Sequence, residues 1–350
     1  MRLHVVSLPH TQTTSEYVVC AYTQKVIKFC RMMRAQGAHV TLYSGEQNEA
    51  ECDEHVAVLS ERERLGWFGP WRPDDLFANV TWDPLHPAWA TMNARAVEQI
   101  RARCEPRDVL CLVAGASQRP IWEALPQLTP AEWAVGYEGI SLPHRAFESY
   151  AWMHHVYGLR GIRNGHAYDA VIPNFFDPTD FAGELGPASP DYLLFIGRLV
   201  WRKGPQVASL VAERLGLELR VAGPGATETG PGLVVAPEVR LEGAHVRYEA
   251  VLGPARRREL MAGARAVLVP TLYVEPFGGV AVEAMLCGTP VVASDWGSFP
   301  ELVEEGLTGY RFRTLAEGVA ATERAMELPR AAVRERALER FSLAAVGPRF

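Results

Sequence analysis

The chain has 350 residues, 48% of them hydrophobic and 22% charged, which is enough for two globular domains with ample core and excludes a disordered or fibrous chain. Its net charge of −6 divides into 16 Lys+Arg against 21 Asp+Glu in residues 1–180 and 19 against 20 in residues 181–350. Neither half is therefore built to hold nucleic acid or an anionic membrane through bulk charge.

No apolar run approaches bilayer length. The opening Met1–Ser7 reads as a strand with no apolar leader behind it, and six scattered cysteines form no Cys-x-x-Cys pair. Scattered buried thiols fit a reducing compartment, so the expected location is cytoplasmic, with peripheral membrane contact left open. Lysine occurs at 25, 28 and 203 only, in a chain otherwise rich in arginine.

In chain order, a strand at 2–8 leads through the polar turn His10-Thr11-Gln12-Thr13-Thr14 to a helix over 17–36 and a strand over 39–43. This β–α–β opening predicts a parallel sheet with a right-handed crossover. A short strand at 55–59 precedes an irregular 60–90 region holding Trp67, Trp71, Trp82 and Trp89. Beside Arg72, Asp74 and Asp75, those indoles read either as a stacking wall for a sugar-like or base-like ligand or as pins for a long loop. A helix at 91–103, a strand at 108–114 and a helix at 120–125 follow, and residues 131–136 lead into Tyr137-Glu138. Ligands of open α/β sheets sit beyond strand carboxyl ends, which makes Glu138 and His144 candidates. The pattern over 145–157 predicts a helix, and its adjacent His154 and His155 face different ways, against a shared metal.

Residues 168–177 read as a strand running into a turn, and 178–190 have the proline and glycine content of a linker. The apolar 191–197 run reads as a strand buried on both faces, followed by a basic loop carrying Arg198 and Lys203 between Gly197 and Gly204. A helix at 206–215 and a strand ending in the Gly223-Pro-Gly225 turn come next. A helix at 253–262 carries Arg256-Arg257-Arg258, read as a solvated face.

A buried strand at 266–270 then precedes Glu275-Pro-Phe277-Gly278-Gly279-Val280-Ala281-Val-Glu283, and a helix runs from 280 to 287. Pro276 forbids one helix through both acids, which puts Glu275 on a loop and Glu283 about one turn into the helix. Between them, the first-turn amides of Gly279, Val280 and Ala281 make a phosphate site. The bland reading is two acids facing solvent.

The Glu-x7-Glu stretch resembles the signature of retaining GT-B glycosyltransferases of the large GT4 family (glycosyl transferases group 1). Three further segments resemble the family in the same order: Asp169–Asn174, Gly197–Lys203 and Gly288–Glu301. The resemblance implies an α/β fold of GT-B type, two Rossmann-like doubly wound domains facing a central cleft. It implies an acceptor-side domain at 1–177, a linker at 178–190, a nucleotide-sugar domain at 191–330, and a helix at 331–350 crossing back. It further implies Arg198, Lys203 and Glu275 as catalytic residues. Gly197, Gly223, Phe277, Gly278, Gly279, Val280, Ala281 and Glu283 would be donor-binding, with Glu283 on the ribose diol. Acceptor-side candidates are His10, Thr11, Gln12, Thr13, Thr14, Glu138 and His144.

The implied activity is metal-independent, retaining front-face transfer of a hexose from a nucleoside-diphosphate sugar, UDP-sugar favoured, to a hydroxyl acceptor. No cofactor is expected beyond that donor. The acceptor is a small molecule, saccharide or glycolipid, with a nucleic-acid base not excluded. The alternative of another class is a non-hydrolysing sugar-nucleotide epimerase of the same architecture; an inactive binding module and an NAD dehydrogenase fit the motifs less well.

Overall fold

The computed structural model describes residues 1–72, 80–183, 185 and 192–350. Asp74, Asp75, Asp191 and residues 184 and 186–190 lie outside the described residues. The chain forms two compact units: Met1–Glu148, Val156–Phe175 and Val346–Phe350 make the first, Ser149–His155 and Phe176–Ala345 the second.

The first unit is built on seven strands: β1 (Arg2–Val6), β2 (His39–Gly45), β3 (Glu54–Leu59), β4 (Val109–Leu112), β5 (Thr129–Val135), β6 (His144–Phe147) and β7 (Asp169–Val171). They pair in parallel throughout, in the order β3-β2-β1-β4-β5-β6-β7. The order reverses between β1 and β4, the place where such sheets open a crevice at their carboxyl edge. Helix α1 (Ala21–Ala35) buries Val26, Phe29, Cys30 and Met33 as one stripe, with Phe29 stacked on Trp133 at 4.0 Å. The last residues return to this unit, where the Phe350 ring meets Phe29 and Phe175 edge-on at 5.4 and 6.0 Å.

Two stretches differ from the sequence reading. The 60–90 region is not wholly irregular: α2 (Glu61–Phe68) starts at a reciprocal cap, Ser60 accepting from the Glu63 amide and the Glu63 carboxylate from the Ser60 amide. It is followed by α3 (Pro87–Arg101) and, after β4, by the short α4 (Arg119–Glu123). The expected helix over 145–157 begins only at Tyr150, as α5 (Tyr150–Leu159), because Arg145 belongs to β6. There Arg145 forks across Asp169 of β7, Nε to Oδ1 at 2.7 Å and Nη2 to Oδ2 at 2.9 Å. A register partner on the next strand outweighed the local helical pattern.

The second unit repeats the plan. Its strands β8 (Tyr192–Ile196), β9 (Glu218–Ala222), β13 (Val246–Tyr248), β14 (Val267–Val269), β15 (Val291–Ser294) and β16 (Gly309–Phe312) form a parallel sheet in the order β13-β9-β8-β14-β15-β16. Again the order reverses beside the first strand, here between β8 and β14. A small antiparallel sheet, β10 (Glu228–Gly230), β11 (Leu233–Ala236) and β12 (Val239–Glu242), is inserted after β9 and was not read from the sequence. The helices are α6 (Pro205–Leu215), α7 (Pro254–Gly263), α8 (Gly279–Leu286), α9 (Phe299–Leu302), α10 (Leu315–Ala325), α11 (Arg330–Phe341) and α12 (Leu343–Val346). Helix α8 is buried along most of its length with Phe176, Phe277, Phe299 and Phe341, which fixes the direction of its first turn. The six cysteines are free. No helix among the described residues is long and apolar enough to cross a membrane.

Candidate active site

The loops that leave β8 and β14 at the topological switch meet through one ion pair. After β8, a single 3-10 turn, Trp201–Lys203, ends at Gly204 in the left-handed conformation (φ 75°). A β-carbon there would lie 2.0 Å from the Pro270 carbonyl oxygen, so glycine lets this loop press against the chain leaving β14. The Leu272 amide donates to the Arg202 carbonyl at 2.8 Å and locks the two together. The result is an ion pair between Lys203 Nζ and Glu275 Oε2, with the Glu275 residue only 9% exposed.

Tyr273, not singled out from the sequence, completes the pair. Its ring lies 5.1 Å from Lys203 Nζ and 5.2 Å from the Arg202 guanidinium, cation–π range in both cases. Burial, then the charge of Glu275 and a hydrogen bond to it, raise the Tyr273 phenol above its ordinary value, while Arg198 and Arg202 oppose the rise. The Glu275 loop is held by three serines: Ser294 Oγ donates to the Thr271 carbonyl, Ser298 Oγ to Phe277 and Ser149 Oγ to Pro276, at 2.6, 2.5 and 2.6 Å.

Gly278 takes φ 88° and caps α8, whose first residue is Gly279. The Ala281 amide turns back to the Gly278 carbonyl at 3.0 Å, so the outward-reaching first-turn donors are those of Gly279 and Val280, not all three as expected. The Phe277 side chain is in the core and its carbonyl is held by Ser298, which leaves its backbone amide for any ligand. Glu283, one turn into α8, pairs with Arg257 of α7. The arginine run of α7 is therefore not simply a solvated face: Arg256 pairs with Glu259 and Glu249, and Arg257 balances a half-buried acid.

Gly197 and Gly223 stand side by side at the ends of β8 and β9. Gly223 has φ 132°, and a β-carbon on it would lie 2.1 Å from the Gly197 carbonyl oxygen. Tyr248 Oη donates to the Gly223 carbonyl at 2.8 Å.

In the first unit the candidates fare differently. Thr11, Gln12, Thr13 and Thr14 are buried and engaged internally: Thr11 with Thr23, Gln12 with Glu61 and the Gln47 amide, Thr13 with Ser7, and the Thr14 carbonyl with Gln24. His10 is 6% exposed, set edge-on to Phe68 and Trp82, and burial lowers its imidazole to about 4, which keeps it neutral. Glu138 is exposed near the carboxyl edge, its carbonyl accepting from Arg160. His144 lies elsewhere: it is the first residue of β6, at the opposite edge of the sheet, with Nδ1 on the Pro130 carbonyl at 2.9 Å. The carboxyl end of that strand carries Glu148 instead, and the expected boundary of a helix at 145 had hidden it. Glu148 pairs with Lys25 and accepts from Asn174 Nδ2 at 2.9 Å. Of the four tryptophans, Trp89 is fully buried, Trp67 packs on the core, Trp71 lies against Tyr17 at 4.5 Å, and Trp82 is half-exposed.

Chemically, the second-unit site combines the Lys203 cation, the Gly279 and Val280 amides at the start of α8, and a carboxylate on either side. Such a set neutralises a diphosphate and accepts from hydroxyls. Among the described residues, no three His, Cys, Asp or Glu side chains gather as a metal-ligating group.

Comparison with known proteins gives the same direction. Residues 190–327 match the family model described as glycosyl transferases group 1. A D-inositol 3-phosphate glycosyltransferase of Mycobacterium avium is 35% identical over 128 residues, 35% of this chain and 30% of that protein. A glycogen synthase of Thermus thermophilus is 33% identical over 207 residues, 54% of this chain and 44% of that protein. The chain thus spans less than half the length of these curated relatives. Among solved structures, AviGT4, a glycosyltransferase involved in avilamycin A biosynthesis, superposes with a TM-score of 0.64 at 20% identity, covering 100% of this chain and 95% of that one. Anabaena HepE in complex with UDP-glucose gives 0.63 at 15% identity, covering 100% and 98%. At these identities the superpositions establish the fold, which is GT-B.

Proposed function

We propose, because this chain is of the group 1 glycosyltransferase type and has the GT-B fold, that it moves a hexose from a nucleoside-diphosphate sugar to a hydroxyl acceptor. The donor is held by the second unit and the acceptor by the first. One observation carries the reading: the Lys203–Glu275 pair at the β8/β14 switch, three residues before the glycine that caps α8.

In the free protein Lys203 and Glu275 satisfy each other. A donor would exchange that pair for two better-matched ones, Lys203 with diphosphate oxygen and Glu275 with hydroxyls of the sugar. Arg198 would fork across non-bridging oxygens, the Gly279 and Val280 amides would take the same anion, and Glu283 would accept from the ribose diol. As the bond from the anomeric carbon to the diphosphate oxygen breaks, negative charge grows on the leaving group, and fixed cations and amides stabilise it. The acceptor oxygen forms the new bond on the same face, and its proton passes to the departing phosphate oxygen, so configuration is retained and protons balance. UDP-sugar is the favoured donor, and no metal is required for the charge compensation described.

The test is a thermal-shift screen of UDP, GDP, ADP, TDP and their sugars in EDTA. A ligand at a hundred times its dissociation constant stabilises by about 2.7 kcal/mol. A clear shift with one nucleoside diphosphate supports the reading; none with any of them overturns it.

A further inference from the structure

Two of the three lysines in this chain do the same thing in different units. Lys203 pairs with Glu275 at the carboxyl edge of the second sheet, and Lys25 pairs with Glu148 at the carboxyl edge of the first. The second of these pairs lies in the unit that does not carry the donor residues named above, beside a row of aromatic rings.

Glu148 is 4% exposed. One oxygen meets Lys25 Nζ and the other accepts from Asn174 Nδ2, while Gly136 passes so close that a β-carbon there would lie 2.9 Å from the carboxylate. Lys25 Nζ also sits 4.5 Å from the centre of the Tyr22 ring. Tyr22 continues into an aromatic row, 5.9 Å from the Tyr137 ring and 6.5 Å from Trp82. Trp82 is 49% exposed, an unusual state for an indole that also contacts Trp89 and His10. Behind it, His10 Nδ1 is buried without a hydrogen-bond partner among the described residues.

From this juxtaposition we propose that the Trp82–Tyr22 row and the Lys25–Glu148 pair form the acceptor subsite, and that the acceptor is a neutral pyranoside. This rests on the transferase reading above and adds the class of acceptor to it. A pyranose ring has an apolar face of C–H groups that packs on an indole, and a rim of hydroxyls that both donate and accept. A carboxylate and an ammonium held side by side match adjacent hydroxyls, one accepting and one donating. The pair is neutral overall, so the subsite offers no uncompensated cation to select a phosphorylated or carboxylated acceptor.

The experiment uses the full chain and a panel of methyl glycosides of glucose, galactose, mannose and N-acetylglucosamine, observed by saturation-transfer difference NMR. At least one glycoside should receive saturation, strongest at the protons of one ring face. That signal should fall at least fivefold in both Trp82→Ala, whose urea unfolding midpoint is measured alongside to confirm that it is folded, and Glu148→Gln, which keeps the side-chain shape. No transfer to any glycoside in the wild-type protein, or a signal that persists in either variant, overturns the proposal. Thermal shifts with UDP, GDP, ADP and TDP on the same wild-type sample separate the two readings. A shift with any of them without glycoside signals sinks the acceptor assignment alone, and glycoside signals without a shift from any of them sink the donor reading alone.

Discussion

Replacing Gly223 by alanine tests how the second unit shapes its donor loop. The residue follows β9 at φ 132°, a conformation that L side chains rarely adopt, and its β-carbon would fall 2.1 Å from the Gly197 carbonyl oxygen and 2.8 Å from the carbonyl carbon. Neither backbone yields freely. Gly197 N donates to Ala222 at 3.0 Å, Leu199 N to the Pro224 carbonyl at 2.9 Å, and Gly223 N to Ala250 at 2.9 Å, while Tyr248 holds the Gly223 carbonyl. Relief of the clash must break about two of these bonds at roughly 1 kcal/mol each, on top of about 1–2 kcal/mol of backbone strain. Gly223→Ala should therefore lose about 3–4 kcal/mol in urea unfolding, and the displaced Gly197–Lys203 loop should weaken nucleoside-diphosphate binding at least tenfold. If the variant unfolds within about 0.5 kcal/mol of wild type, inside the range of an ordinary surface change, the close approach of these two loops does not constrain the fold.

The remaining predictions concern stability in the first unit. Burial lowers the His10 imidazole to about 4 from 6.5, so the unfolded chain binds a proton that the folded one refuses. That contribution is complete above pH 6.5 and is lost as pH falls towards 4, about 2.5 kcal/mol of it by pH 4.5. His10→Gln should lose correspondingly less stability between pH 7 and 4.5 in urea unfolding; parallel curves would refute the assignment. Arg145→Met strands the buried Asp169 carboxylate and should cost about 3–5 kcal/mol, whereas Arg119→Met, from an exposed pair with Glu123, should cost under about 1 kcal/mol. Equal losses would show that burial does not govern these pairs. Gly66 lies inside α2 with no atom within 4 Å of a built β-carbon, so Gly66→Ala should raise the unfolding free energy by about 1 kcal/mol.

Local signals in the sequence were strong where a glycine, a proline or an unbroken apolar run decided the outcome. Pro276 and Gly278–Gly279 forced the loop before α8, and the continuous apolar run ending at Ile196 marked a strand covered on both faces. Both sheets follow from such runs alternating with amphipathic stripes like Val26, Phe29, Cys30 and Met33. What escaped depends on partners far away in the chain. Arg145 reads as helical until Asp169 claims it, and that shift moves Glu148 to a strand end and His144 to a strand start. Glu148 and Lys25 are 123 residues apart, and only the parallel order of the sheet brings them together. The hydroxyls of Thr11 to Thr14 looked available because nothing local shows that Thr23, Glu61 and Ser7 surround them. Tyr273 carried a faint signal, an aromatic two residues before the first acid, but its place between Lys203 and Arg202 is a property of packing.

Calorimetric titration of the wild-type protein and Lys203→Met, with the nucleoside diphosphate that gives the largest thermal shift and with the corresponding nucleoside, tests the role of Lys203 most directly. A cation facing the diphosphate predicts that the variant loses at least tenfold in affinity for the diphosphate, about 1.4 kcal/mol, and little for the nucleoside. Unchanged diphosphate affinity in Lys203→Met, or an equal loss for nucleoside and diphosphate, would contradict it.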